Sequence, residues 1–134
     1  MITSPLQLEK FLLLSISIEP RVDGNKTTET TVSTTIEAGR SQTEKRLWML
    51  KLSVMLKETP YSGSIVMEGF FRVHDSVAED IMPKIVAING ASILYGSARD
   101  YIALITSRSV NGEFVLPSVS FSDIESVTLE EGNK

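Results

Sequence analysis

The chain has 134 residues, 42% of them hydrophobic and 22% charged, with a formal net charge of -4. That is enough for one domain, spanning 1–134, to bury a core of its own, and the composition excludes global disorder. With no cysteine and one histidine, His74, disulfides, thiolate chemistry and a His-cluster metal site are excluded, and the negative charge gives no global pull toward nucleic acid or anionic lipid.

Period-two alternation dominates the first half, which is the signature of strands. In the first strand Leu12, Leu14, Ile16 and Ile18 are expected on one face, with Leu13, Ser15, Ser17 and Glu19 on the other. Pro20 to Lys26 reads as a turn. Val32, Ile36 and Ala38 line one face of a second strand, and Trp48, Leu50, Leu52, Val54 and Leu56 that of a third. A turn through Thr59-Pro60 leads to a fourth, with Ile65, Met67, Phe71 and Val73 on one side and Ser64, Glu68 and Arg72 on the other.

The period then lengthens. Val77, Ile81, Ile85 and Ile88 are spaced as a helix face, which Gly90 is expected to end. Ser92 reads as the N-cap of a second helix running to about Val110, stopped by Asn111-Gly112. Its apolar stripe of Ile93, Leu94, Ala98, Tyr101, Ile102 and Ile105 is wider than one sheet can cover. A short third helix is expected after Leu116, carrying Val119, Phe121, Ile124 and Val127. Strands followed by helices give an α+β domain: a four-stranded antiparallel sheet with C-terminal helices on one face.

Catalytic patterns are absent. There is no phosphate-binding glycine loop, no H-E-x-x-H and no G-x-S-x-G. His74, Asp75 and Ser76 are adjacent in sequence, and neighbours on an extended chain point apart. Glu79–Asp80 and Glu130–Glu131 read as a solvated helix start and a charged tail, and Lys45, Arg46, Arg99 and Arg108 are too scattered for a nucleic-acid surface. Phe11–Ile18 is too short for a membrane span and is followed by Glu19-Pro20 rather than a cleavage site, so a cytoplasmic protein without cofactor or metal is expected. Met49, Met55, Met67 and Met82 suit an adaptable apolar surface as well as core filling.

Several motifs, in order, resemble the SecB family of cytoplasmic export chaperones over about Leu8 to Ile124. Ile93-Leu94-Tyr95-Gly96-Ser97-Ala98-Arg99-Asp100 is similar to the family's I-L-F-P-Y-A-R-E, and Leu116-Pro117-Ser118-Val119-Ser120-Phe121 to its L-x-P-V-N-F. Ser17-Ile18-Glu19-Pro20 and Gly69-Phe70-Phe71-Arg72-Val73 resemble S-F-E-A-P and G-I-F-S-I. The resemblance implies an ATP-independent holdase for unfolded polypeptides, assembled as a dimer of dimers with the long helices sandwiched between sheets. It places Ile93, Ala98, Tyr101, Ile102 and Ile105 at the contact between copies. It also places Phe114, Val115, Leu116, Phe121 and Ile124 along the client groove. The family's acidic patch for the motor SecA would fall on Glu19, Ser15 and Ser64, two of which are neutral here, so coupling to SecA is expected to be weak. Those neutral residues favour an alternative, a dedicated chaperone for one partner such as an antitoxin. An enzyme reusing the fold is the third reading.

Overall fold

A computed structural model describes residues 4–23, 31–121 and 128–130 of the chain. Four long strands, β1 (Leu6–Pro20), β2 (Thr31–Arg40), β3 (Leu47–Glu58) and β4 (Tyr61–Val73), are followed by a helical run and a three-residue strand, β5 (Thr128–Glu130). The sheet order is β1-β4-β3-β2-β5. β1 to β4 are antiparallel, and β5 lies parallel to β2.

Register sorts the two faces of the sheet, because residues directly opposite share a side. Trp48, Leu50, Leu52, Val54 and Leu56 of β3 and Ile65, Met67, Phe71 and Val73 of β4 are all buried under the helices, as their alternation predicts. Gly63, opposite Ile18, has φ +136, and a Cβ there would lie 1.7 Å from the Ser17 carbonyl oxygen. Only glycine fits where β1 crosses so close.

The first strand departs from its predicted alternation. Register shifts fall between Leu8 and Lys10 and between Leu13 and Ser15. Leu13 therefore opposes buried Met67 on the helix side, Leu12 opposes Glu68 on the outer side, and Leu14 has no partner. Each bulge inserts one residue and reverses the side of all that follow.

The helical run is continuous rather than broken at Gly90. A 3₁₀ turn (Glu79–Ile81) leads into α1 (Met82–Ile85), a π-helical turn (Val86–Gly90) and α2 (Ala91–Thr106). Gly90 is helical, and a Cβ on it would lie 2.9 Å from Leu50 Cδ2. It is there for close approach to the sheet, not for termination. Ser92 is not a cap either; its hydroxyl donates to the Ile88 carbonyl at 2.8 Å. The face laid on the sheet is Met82, Val86, Ala87, Gly90, Ala91 and Leu94, while Ile81, expected inside, is exposed. Small residues bring the helix axis nearer to the sheet than a row of isoleucines would allow.

Past Thr106 the chain turns at Gly112 (φ +82) and runs without regular secondary structure through Phe121. No helix forms over Leu116–Phe121, and the next described residues are those of β5. The turn is tied to the β3–β4 hairpin: Asn111 Nδ2 donates to the Pro60 carbonyl at 2.7 Å and the Arg21 carbonyl at 2.9 Å, and the Tyr61 hydroxyl donates to the Gly112 carbonyl at 2.5 Å.

Candidate functional site

Tyr95 and Tyr101 stand about 120° apart around α2, and each marks one flank of that helix. On the Tyr101 flank the ring stacks on Phe11 of β1, with centroids 6.4 Å apart and planes 7° from parallel. Leu8 and Leu13, on the helix side of the same strand, and Ile105, one turn beyond Tyr101, are exposed.

The Tyr95 flank is occupied by the segment that follows the helix. Phe121 meets Tyr95 edge-on at 5.7 Å, and Phe114 packs against Tyr61 at 6.4 Å. The Tyr95 hydroxyl donates to the Pro117 carbonyl at 2.5 Å, and the Phe114 N–H donates to Thr106 Oγ1 at 2.9 Å. Between this segment and α2 lies an open hollow of about 200 Å³ lined by Ser92, Tyr95, Gly96, Arg99, Val119 and Phe121, with Ser118 at its rim. Arg99 is its charged residue. Among the described residues its guanidinium Nε is buried without a hydrogen-bond partner. Burial pushes the Tyr95 phenol above its ordinary value of 10.0, and the Arg99 charge works against that rise.

The groove residues expected from sequence divide. Phe114, Leu116 and Phe121 are buried in their own chain, Val115 is exposed, and Ile124 lies outside the described residues. Phe114, Leu116 and Phe121 turn toward the chain's own core, whereas Val115 and Val119 are exposed. The expected contact residues also divide. Ala98 and Ile102 are completely buried against the chain's own sheet, whereas Ile93 and Ile105 are exposed and Tyr101 is half-buried.

Ser15, Ser17 and Glu19 lie on the outer side of β1, opposite Val66, Ser64 and Ser62, so Ser15, Ser64 and Glu19 share the helix-free face. Glu68, on the same face, is mostly buried between Leu12 and Lys51 of the neighbouring strands. Of the methionines, Met67 and Met82 fill the core, and Met49 and Met55 lie on the outer face.

His74 and Ser76 do converge, against expectation: His74 Nδ1 lies 2.8 Å from Ser76 Oγ and accepts the Ser76 N–H at 3.0 Å. The chain turns at Asp75, which brings residues i and i+2 together. Asp75 is turned away to Arg46 at 3.5 Å, so no carboxylate orients the imidazole and the arrangement is a turn, not a triad. Among the described residues no group of three or more histidine or acidic side chains could hold a metal, and no helix is long and apolar enough to cross a membrane.

No protein-family model and no curated protein sequence matches the chain. Solved structures do. A SecB-like chaperone of Mycobacterium tuberculosis, Rv1957, in complex with a ChAD peptide from the Rv1956 HigA1 antitoxin, matches with a TM-score of 0.59 at 16% identity, over 87% of this chain and 91% of that one. A protein of unknown function from Streptococcus agalactiae matches with a TM-score of 0.50 at 9% identity, over 85% of this chain and 97% of that one. At such identities the likeness is one of fold: the chain has the SecB-like arrangement of an antiparallel sheet covered on one face by a long C-terminal helix.

Proposed function

We propose that this protein is a nucleotide-independent chaperone that holds non-native polypeptide segments in the groove between α2 and residues 114–121. The observation that carries this reading is the open hollow there, with Tyr95, Phe121 and the exposed Val119 in its wall, and with Val115 exposed on the same segment. The fold is shared with a chaperone whose structure holds an antitoxin peptide. Burying apolar client side chains yields about 25 cal/mol per Å², with little dependence on sequence.

The exposed side chains of the Tyr101 flank, Leu8, Leu13, Ile93 and Ile105, are the surface through which copies of the chain would assemble into the dimer of dimers. The dedicated-chaperone reading is favoured by two observations: the antitoxin peptide on the neighbour, and hydroxyls rather than carboxylates at Ser15 and Ser64. Each exposed ion pair is worth only about 0.2–1 kcal/mol, so losing two would abolish a modest interaction with SecA and spare a tight one, and weak or absent docking is expected.

The test is suppression of aggregation of a chemically unfolded client, without nucleotide. Val115→Asp and Val119→Asp together are expected to weaken suppression while leaving the fold intact, because both side chains are exposed. A strict ATP requirement, or full suppression by the double variant, would overturn the reading. A client profile dominated by one co-captured protein would select the dedicated role.

A further inference from the structure

We infer that Arg99 makes the hollow beside α2 a carboxylate subsite, one that takes the acidic side chain of a bound polypeptide. The inference rests on the chaperone reading and specifies which segments the groove prefers.

Three features of the hollow point the same way. First, Arg99 lines it and has no ion pair among the described residues, and its Nε donor is buried without a partner. A guanidinium offers five N–H donors in a planar fork, the geometry that a carboxylate meets two bonds at a time. Leaving the buried Nε donor unmet is costly, so an anion drawn to this guanidinium has one unmet donor to satisfy. A single cation matches the single charge of a carboxylate better than a doubly charged phosphate.

Second, the remaining wall is apolar and aromatic, from Tyr95, Val119 and Phe121, with the Ser92 and Ser118 hydroxyls as further polar groups. A glutamate presents methylenes to such a wall and its charge to the guanidinium. The volume, about 200 Å³, suits one side chain rather than a folded ligand.

Third, Gly96 sits in the middle of α2 on the rim of this hollow, where a Cβ would meet nothing within 4 Å. Glycine weakens a helix interior relative to alanine. Among the described residues no contact explains it, in contrast to Gly90. The bare helix surface lets another main chain come close where its side chain would enter the hollow.

The experiment is isothermal titration, at low salt, of the full chain with an unstructured apolar peptide carrying one central glutamate, and with its glutamine counterpart. The glutamate peptide is expected to bind about tenfold more tightly, the scale of one charge-assisted bidentate contact. Arg99→Gln should abolish the difference. Arg99→Lys, which keeps the charge but not the fork, should retain part of it and guards against a folding defect in the first variant, with circular dichroism as the check on both. Gly96→Ala should fold, with a raised Tm, and bind both peptides several-fold more weakly.

Equal affinities for the two peptides, or a preference that survives Arg99→Gln, would overturn the subsite. With aggregation suppression intact, either result leaves the chaperone reading standing; loss of suppression removes both. Glutarate binding as tightly as the peptide and depending on Arg99 would make the occupant a small carboxylate and also overturn the proposal. A preference that emerges only in an Asp123→Asn, Glu125→Gln variant would show the chain's own carboxylates competing for the site, and would do the same.

Discussion

The two flanks of α2 carry similar aromatic pairs and differ in what lies over them. Beside Tyr95 the chain supplies its own cover: Phe114, Leu116 and Phe121 are buried, and hydrogen bonds from Tyr95 and Phe114 pin the segment down. Beside Tyr101 there is one stacked ring, Phe11, and then exposed Leu8, Leu13 and Ile105. The covered flank keeps a hollow with a cation in it; the bare flank leaves Leu8, Leu13 and Ile105 exposed. A covered edge with a residual cavity suits a ligand that inserts side chains, and a bare apolar surface on an edge strand suits association. Exposed isoleucines and buried isoleucines on one helix thus have different consequences when mutated.

The largest expected effect tests where the flanks meet. Ile102 is completely buried beneath α2, so Ile102→Asp strands a carboxylate in the core and is expected to cost more than about 3 kcal/mol. Urea denaturation would read this as loss of the cooperative transition. A folded but dissociated chain would instead show that Ile102 belongs to a contact between copies. On the covered flank, Phe121→Ala removes the edge-on contact with Tyr95 and opens the core, at about 3 kcal/mol, read as a lower urea midpoint. An unchanged midpoint would mean the segment only rests on the helix.

On the bare flank the fold should hardly notice. Tyr101→Ala gives up one stacked, half-buried contact, worth about 1 kcal/mol. Ile105→Asp should leave the melting curve within about 0.5 kcal/mol of the parent, yet lower the molar mass seen by light scattering at micromolar concentration. If the mass stays unchanged, this flank does not join copies. The smallest effect concerns the tie between β2 and the start of the helical run. Arg40 Nη2 donates to Glu79 Oε1 at 3.0 Å, and that hydrogen bond, with the charge of Lys45, holds the Glu79 carboxyl below its ordinary value of 4.5. A depressed carboxyl stabilises the fold above its unfolded value and loses that contribution as pH falls through its folded one. Glu79→Gln should therefore narrow the gap in Tm between pH 7 and pH 3 slightly. A gap that widens would reverse the sign assigned to the pair.

How much of this was legible depended on how local the deciding interaction is. The alternation in β3 and β4 needs nothing beyond the chain itself, and its inward rows were read correctly from Trp48 to Leu56 and from Ile65 to Val73. β1 was misread at Leu12 and Leu14 because a bulge depends on what the partner strand requires, and the residues around Leu13 do not announce it. Gly90 was misread as a terminator for a related reason. A glycine that ends a helix and one that lets a helix touch a sheet look the same until Leu50 and Phe71 are placed beneath it.

The candidate site divides along the same line. Residue type and order along the chain determined the α+β class, the antiparallel sheet and the long helix, since propensity and periodicity act over a few residues. Only the tertiary structure decided that Phe114 and Phe121 are covered while Ile105 is not, and that Arg99 lines a hollow with its Nε unpartnered among the described residues. Burial is a property of a side chain's neighbours in space, and those neighbours, Tyr61 for Phe114 and Tyr95 for Phe121, come from 53 and 26 residues away along the chain.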